Sequence, residues 1–104
     1  QAAKDARILA IGVDSNQNHL QPGTMLTSML KRVDVAVYNV SMGHKPGITV
    51  LGLKEGGVDV ALDDYNAKLV TADMKAKVDA AKADIISGAV KVHDYMEDNK
   101  CPVE

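Results

Sequence analysis

Residues 7–13, Arg-Ile-Leu-Ala-Ile-Gly-Val, form a short, nearly continuous apolar run that stops at Asp14. Such runs fit a strand buried on both faces, as in a parallel sheet. Polar, turn-forming Ser15-Asn16-Gln17-Asn18-His19 follows, and Pro22-Gly23 marks a second turn. The stretch 24–40 reads two ways. Its first half has strand character, yet Leu26, Met29, Leu30, Val33, Val37 and Val40 also fall at helical three-and-four spacing. We read a short strand ending near Ser28 or Met29, then a helix from about Lys31 to Met42. Gly43 follows that helix, and Pro46-Gly47 stops it.

Residues 48–53 (Ile-Thr-Val-Leu-Gly-Leu) are a further strand candidate, broken by Lys54-Glu55-Gly56-Gly57. Strict alternation resumes over 58–62, and Asp63-Asp64-Tyr65-Asn66 reads as a solvated turn. Thr71 opens the clearest helix, with Asp73 favoured by the helix dipole in its first turn. Met74, Val78, Ala81 and Ile85 line one face, and Ser87-Gly88 closes it. Residues 89–92 read as a last short strand and 94–104 as a loose polar tail. The opening Gln1-Ala2-Ala3-Lys4-Asp5 reads either as the last turn of a helix or as a frayed end. Alternating strands and helices make an α/β fold. Two good helices are too few to cover both faces of a sheet, so the pattern looks like part of a larger sheet system.

Composition narrows the class. The 104 residues carry 12 basic and 14 acidic side chains, a net charge of −2, with 46% apolar and 25% charged positions. That is a globular balance, and a compact domain of this length has a radius of about 13 Å. A slight acidic excess without basic clusters argues against nucleic acid or an anionic membrane surface as the main partner. No stretch approaches the ~20 apolar residues of a spanning helix. One cysteine makes no internal bridge, and four-ligand zinc spacings are absent. There is no Phe or Trp, and the aromatics are Tyr38, Tyr65 and Tyr95. A pocket needing an aromatic wall has to borrow it from elsewhere.

Asp14 is the most informative position. It stands at the carboxyl end of a buried strand, where ligands bind in open α/β sheets. A carboxylate there accepts two hydroxyl donors at once, which matches a vicinal diol such as a ribose. The plainer account is that Asp14 caps the following turn through its own backbone. Lys31, expected at a strand-to-helix junction, either donates to ligand oxygens, holds a nearby carboxylate, or is a solvated surface lysine beside Arg32. Ser15 and Asn16 are weaker ligand-side candidates, since polar loops are the default. No G-x-S-x-G elbow places a nucleophile, and His19, His44 and His93 lack the spacing of a metal-binding helix. The glycines of 52–57 lack the order of a nucleotide loop. Cys101, before Pro102, has no base near it in sequence. Nothing nominates a catalytic residue, a metal ligand or a cofactor.

Three motifs in order carry a resemblance: Ala10-Ile11-Gly12-Val13-Asp14-Ser15-Asn16-Gln17, then 26–38 (Leu-Thr-Ser-Met-Leu-Lys-Arg-Val-Asp-Val-Ala-Val-Tyr), then Gly52-Leu53-Lys54-Glu55-Gly56-Gly57-Val58. Together they resemble the basic membrane protein family, substrate-binding lipoproteins of ATP-driven importers, and within it the purine nucleoside receptors. The resemblance implies a type I periplasmic-binding-protein-like α/β fold with two lobes around a cleft, of which this sequence is expected to be the carboxyl-terminal part. It implies lobe-crossing segments near 24–31 and 52–60, with Gly56 and Gly57 at a hinge. Asp14 is implied to bind ribose hydroxyls and Lys31 to contact the ligand side of the cleft. Asn16 stands where many relatives have Asp. The stacking aromatics and a lipid-bearing terminus are expected upstream, with the intact protein at the cell envelope, outside the cytoplasmic membrane.

The leading expectation is therefore a non-enzymatic receptor for a nucleoside of the adenosine, guanosine or inosine class, working with a membrane permease. The 104 residues alone are expected to bind nucleoside weakly, to expose apolar sheet surface, and to self-associate or pair with the missing half. Two readings from other classes stand beside it. One is a receiver-type signalling domain with Asp14 as phosphate acceptor and Lys31 as its partner, which requires further acidic groups around a divalent metal. The other is an enzyme of nucleoside metabolism.

Overall fold

The computed structural model describes residues 1–43 and 45–102. His44, one of the three histidines considered above, and the last two residues of the tail lie outside the described residues. The apolar run that ends at Asp14 forms β1 (Ala10–Asp14), preceded by one helical turn, α1 (Ala2–Asp5). A short 3-10 turn, Asn18–Leu20, leads to β2 (Met25–Lys31), then α2 (Val33–Ser41), β3 (Val58–Val60), α3 (Ala72–Ser87) and α4 (Tyr95–Asp98). The sheet order is β1-β2-β3, with β2 parallel to β1 and antiparallel to β3.

The ladder explains where β2 ends. Expected to stop at Ser28 or Met29, it continues to Lys31 because Met29 pairs with Val60, Leu30 with Asp59 and Lys31 with Val58. The helix accordingly starts at Val33 instead of Lys31. The β1–β2 register shifts between Ala10 and Ile11: Ala10 faces Met25 but Ile11 faces Thr27. Leu26 is the extra residue of this bulge, and its carbonyl accepts from Asn66 Nδ2 at 2.9 Å. Gly12 is required where it stands. A Cβ there would sit 2.5 Å from Ser28 Oγ and 3.0 Å from Gln17 Cβ.

Three expectations are corrected. Residues 48–53 do not form a strand. Among the described residues no backbone partner reaches 48–51, because the segment lies against α2 and not beside a strand. Its alternation persists without a ladder: Thr49 and Leu51 line a groove with Ala36 and Val40, while Ile48 and Val50 face solvent. Residues 89–92 form no strand either, since the Val90 amide turns back to the Asp84 carbonyl at 3.1 Å. The tail is not uniformly loose. Asp94 accepts from the Met96 amide at 2.9 Å and caps α4.

The helix expected from Thr71 is present and capped, Thr71 Oγ1 accepting from Met74 N at 3.2 Å and Gly88 closing the other end. Its apolar face is not buried as that pattern suggests. Met74 and Val78 lie over Leu26, Val60 and Val70 with a cavity of about 80 Å³ between them. A 2.8 Å ion pair from Lys82 to Asp59 ties the helix to β3. The radius of gyration is 16.2 Å, well above the compact value of about 13 Å. The accessible surface of 8157 Å² exceeds the roughly 5,700 Å² of a compact 11.1 kDa monomer. Much of the excess is apolar: Ile11 and Val13 on one face of β1 remain 59% and 57% exposed.

Candidate functional site

β1 and β2 run parallel, so their carboxyl-terminal tips, Asp14 and Lys31, emerge at the same end of the sheet. Asp14 takes φ +81°, a left-handed backbone that Asp tolerates better than most residues, and this turns the chain out of the strand. Its carboxylate meets the Lys31 ammonium in an ion pair. Among the described residues it accepts from none of the loop amides that follow, so the turn-capping account of Asp14 does not hold. The two side chains are 62% and 60% exposed. An ion pair so open to water adds little to folding, and either partner is free to exchange the other for a ligand oxygen. Arg32, next in sequence, is engaged instead with Asp34, which raises the guanidinium pKa and lowers that of the carboxyl.

Behind Asp14 lies a set of side chains that includes the ligand-side candidate Asn16 and Ser28 of β2, together with Asn18, Asp63 and Asn66, which read in sequence as loop and solvated turn. Asn16 Nδ2 donates to Asp63 Oδ2 at 2.7 Å, and Asn16 Oδ1 accepts from the Asn18 amide at 3.0 Å. Asn18 Nδ2 donates to the same Asp63 oxygen at 3.1 Å. Ser28 Oγ accepts from the Gln17 amide at 3.0 Å and donates to Asn18 Oδ1 at 2.8 Å. Asn66 donates to the Leu26 and Ala61 carbonyls, both at 2.9 Å, and accepts from Asp63 N. Asn18, Ser28 and Asn66 are buried, and no buried side-chain polar atom among the described residues lacks a partner. The hydrogen bond from Asn16, and then that from Asn18, hold the Asp63 carboxyl below its ordinary pKa against the opposing effect of desolvation. Asp63 is thus a hub and not a merely solvated turn residue. Its one legible signal was Asp63-x-x-Asn66, a turn-closing pair.

The other candidates fall as follows. Ser15 is exposed and makes no side-chain hydrogen bond among the described residues. Asn16 is spent on Asp63 and Asn18. Gly56 has φ +71°, and a Cβ on Gly57 would lie 2.3 Å from Leu51 Cβ, so both glycines are required by the turn that enters β3. The Gly57 carbonyl accepts from the Arg32 amide at 2.8 Å, fastening that turn to the end of β2. Among the described residues no group of three or more His, Cys, Asp or Glu converges as a metal site.

No protein-family model matches the chain. Half of it is 49% identical to an uncharacterized lipoprotein of Pyrococcus furiosus, 14% of whose length is covered. Over 83% of the chain it is 33% identical to the ABC transporter nucleoside-binding protein BmpA of Lactococcus lactis subsp. cremoris, covering 27% of that protein. The fold matches an ABC transporter solute-binding protein of Aeropyrum pernix K1 with a TM-score of 0.65 and 31% identity, over 88% of this chain and 34% of that one. Along most of its length the chain is thus homologous to substrate-binding proteins of ABC transporters, in line with the resemblance to the basic membrane protein family. The structure is a partial type I periplasmic-binding-protein-like α/β fold, and the chain spans about a quarter to a third of the relatives matched along most of its length. Those two relatives are a nucleoside-binding protein and a solute-binding protein of ABC transporters.

Proposed function

We propose that this chain supplies the sugar-binding wall of a cleft that holds a purine nucleoside, of the adenosine, guanosine or inosine class, in the substrate-binding component of an ABC importer. The observation that carries the reading is the Asp14 carboxylate, exposed at a strand tip and paired with Lys31 instead of tied to its own loop. Two vicinal hydroxyls of a ribose donate to its two oxygens, while the Lys31 ammonium turns to donate to a ligand oxygen. The name of the Lactococcus relative, a nucleoside-binding protein, supports the choice of ligand.

In the same reading β2 and β3 are the segments that cross between lobes, near 24–31 and 52–60. Their antiparallel pairing and the turn at Gly56-Gly57 support a hinge there. Closure around the nucleoside shifts an open–closed equilibrium and presents a surface to the membrane permease. The full-length protein works outside the cytoplasmic membrane on a lipid anchor, a location supported by the lipoprotein relative.

Calorimetry on the full-length polypeptide with adenosine, guanosine and inosine tests the proposal. Removing two hydrogen bonds to a charged group by Asp14→Ala is expected to weaken binding about 100-fold. Unchanged affinity in that variant overturns the sugar contact.

A further inference from the structure

We infer that Asn16 and Asp63 form a positioning latch for Asp14, holding the loop after β1 so that the carboxylate stays at the strand tip beside Lys31. This rests on the ligand reading of Asp14 proposed above.

The backbone of Asp14 asks for such a device. A non-glycine residue at φ +81° is uncommon and persists where its surroundings over-determine it. Before Asp14, Val13 is held in the β1–β2 ladder opposite Met29, and its carbonyl accepts from Gln17 Nε2 at 3.1 Å. After it, the chain is pinned from Asn16 onward: Asn16 to Asp63, the Gln17 amide to Ser28, and Asn18 to both. Asp14 is the last residue of the ladder, opposite Leu30, and only Ser15 lies between it and the pinned loop.

The chemistry of the pair is specific. Asp63 Oδ2 accepts from two side-chain amides and Oδ1 from the Tyr65 amide at 2.9 Å, so both oxygens must be acceptors. An ionised carboxylate meets that demand, whereas an amide places its NH₂ against a donor. Asn16 must donate through one side-chain atom and accept through the other, which an amide does and a carboxylate does not. Asn16 therefore acts through Asp14, not on the ligand. The lowered pKa of Asp63 is the electrostatic sign of the same contacts.

The test uses the full-length polypeptide with inosine as probe. Asn16→Asp and Asp63→Asn are each expected to weaken inosine binding about tenfold. The reciprocal double variant, N16D with D63N, exchanges donor and acceptor between positions 16 and 63 but sets the new amide's NH₂ against the Asn18 side-chain donor, so it is expected to restore part of that loss. In an Asp14→Asn background the same single substitutions are expected to cause no further loss, because the latch works through Asp14. Equal losses with and without the Asp14 carboxylate assign the pair to general stability and overturn the latch, as do single variants that bind normally. Melting curves verify folding, and Asn16→Ser, which removes the donating amide, replaces Asn16→Asp if that variant does not fold. If Asp14→Asn alone leaves inosine binding intact, the nucleoside reading fails. The latch is then read from the Asp14 amide resonance, which moves in each single variant and moves back part of the way in the double. A resonance that stays put overturns the latch independently.

Discussion

The end of the molecule around β1, β2 and residues 61–66 is held together by different means from the part built of α2, residues 45–53 and α3. At the first, three side chains at or near complete burial are polar, and each is bonded to backbone or to another member of the cluster. At the second, neither α2 nor α3 contains a buried residue, and Val33, Val37 and Val40 form an exposed stripe at helical spacing. Hydrogen bonds are short and directional, so a few residues complete the polar end by themselves. Apolar burial needs area, and a three-stranded sheet with one three-residue strand offers little. The difference teaches that the geometry around Asp14 is settled by polar contacts within this chain, while the helices leave their apolar faces uncovered.

Substitutions break this contrast most sharply at Asn66. Asn66→Ala strips the half-buried Leu26 carbonyl of its side-chain donor and Asp63 N of its acceptor, and leaves the Ala61 carbonyl to Thr27 Oγ1; it is expected to cost about 2–3 kcal/mol, read as a lower urea midpoint. A negligible shift would mean that the polar cluster does not hold this end together. A smaller effect comes from acid. The Asp63 and Asp59 carboxyls have folded-state pKa values below the ordinary 3.8, lowered chiefly by Asn16 and by Lys82 respectively. Their stabilisation is fully present above the unfolded-state value and is lost as pH falls through the folded-state values. Urea midpoints measured between about pH 5 and pH 2 are expected to fall with acid, less steeply in Asp63→Asn; an equal slope in both proteins removes the Asp63 contribution. The smallest effect is expected on α2. Val37→Ser, at a 59% exposed position, should change stability by less than about 0.5 kcal/mol in the 104-residue chain. A larger loss would show α2 already packed.

The elements most legible in the sequence were those defined by local chemistry. The strand end at Asp14, the Thr71 cap and Gly88 stop of α3, and the break at Gly56-Gly57 all stand where residue type placed them, although β1 begins only at Ala10 and is exposed where burial on both faces was expected. Residues 48–53 and 89–92 were misread because a short run rich in apolar and β-branched residues reports strand character, not whether a neighbouring strand exists to complete a ladder. Lys31 was found at the right position for the wrong local reason, since pairing with β3 extends the strand to it. Asn18, Asp63 and Asn66 stayed hidden because Asn and Asp in turns usually face water, and the burial of the two asparagines arises only when 16–18 and 61–66 meet across β2. Asp-x-x-Glu before α4 was a cap signal available in the tail, Asp94 being used in that way.

The bulge at Leu26 has a consequence for the charged pair. Had the register of Ala10 with Met25 continued unbroken, Asp14 would lie opposite Met29; the one extra residue carries it forward to Leu30, adjoining Lys31. A single insertion in the middle strand therefore works like the tooth of a ratchet, advancing one partner by a notch, and Asn66 seated on the freed carbonyl is the pawl that keeps it from slipping back.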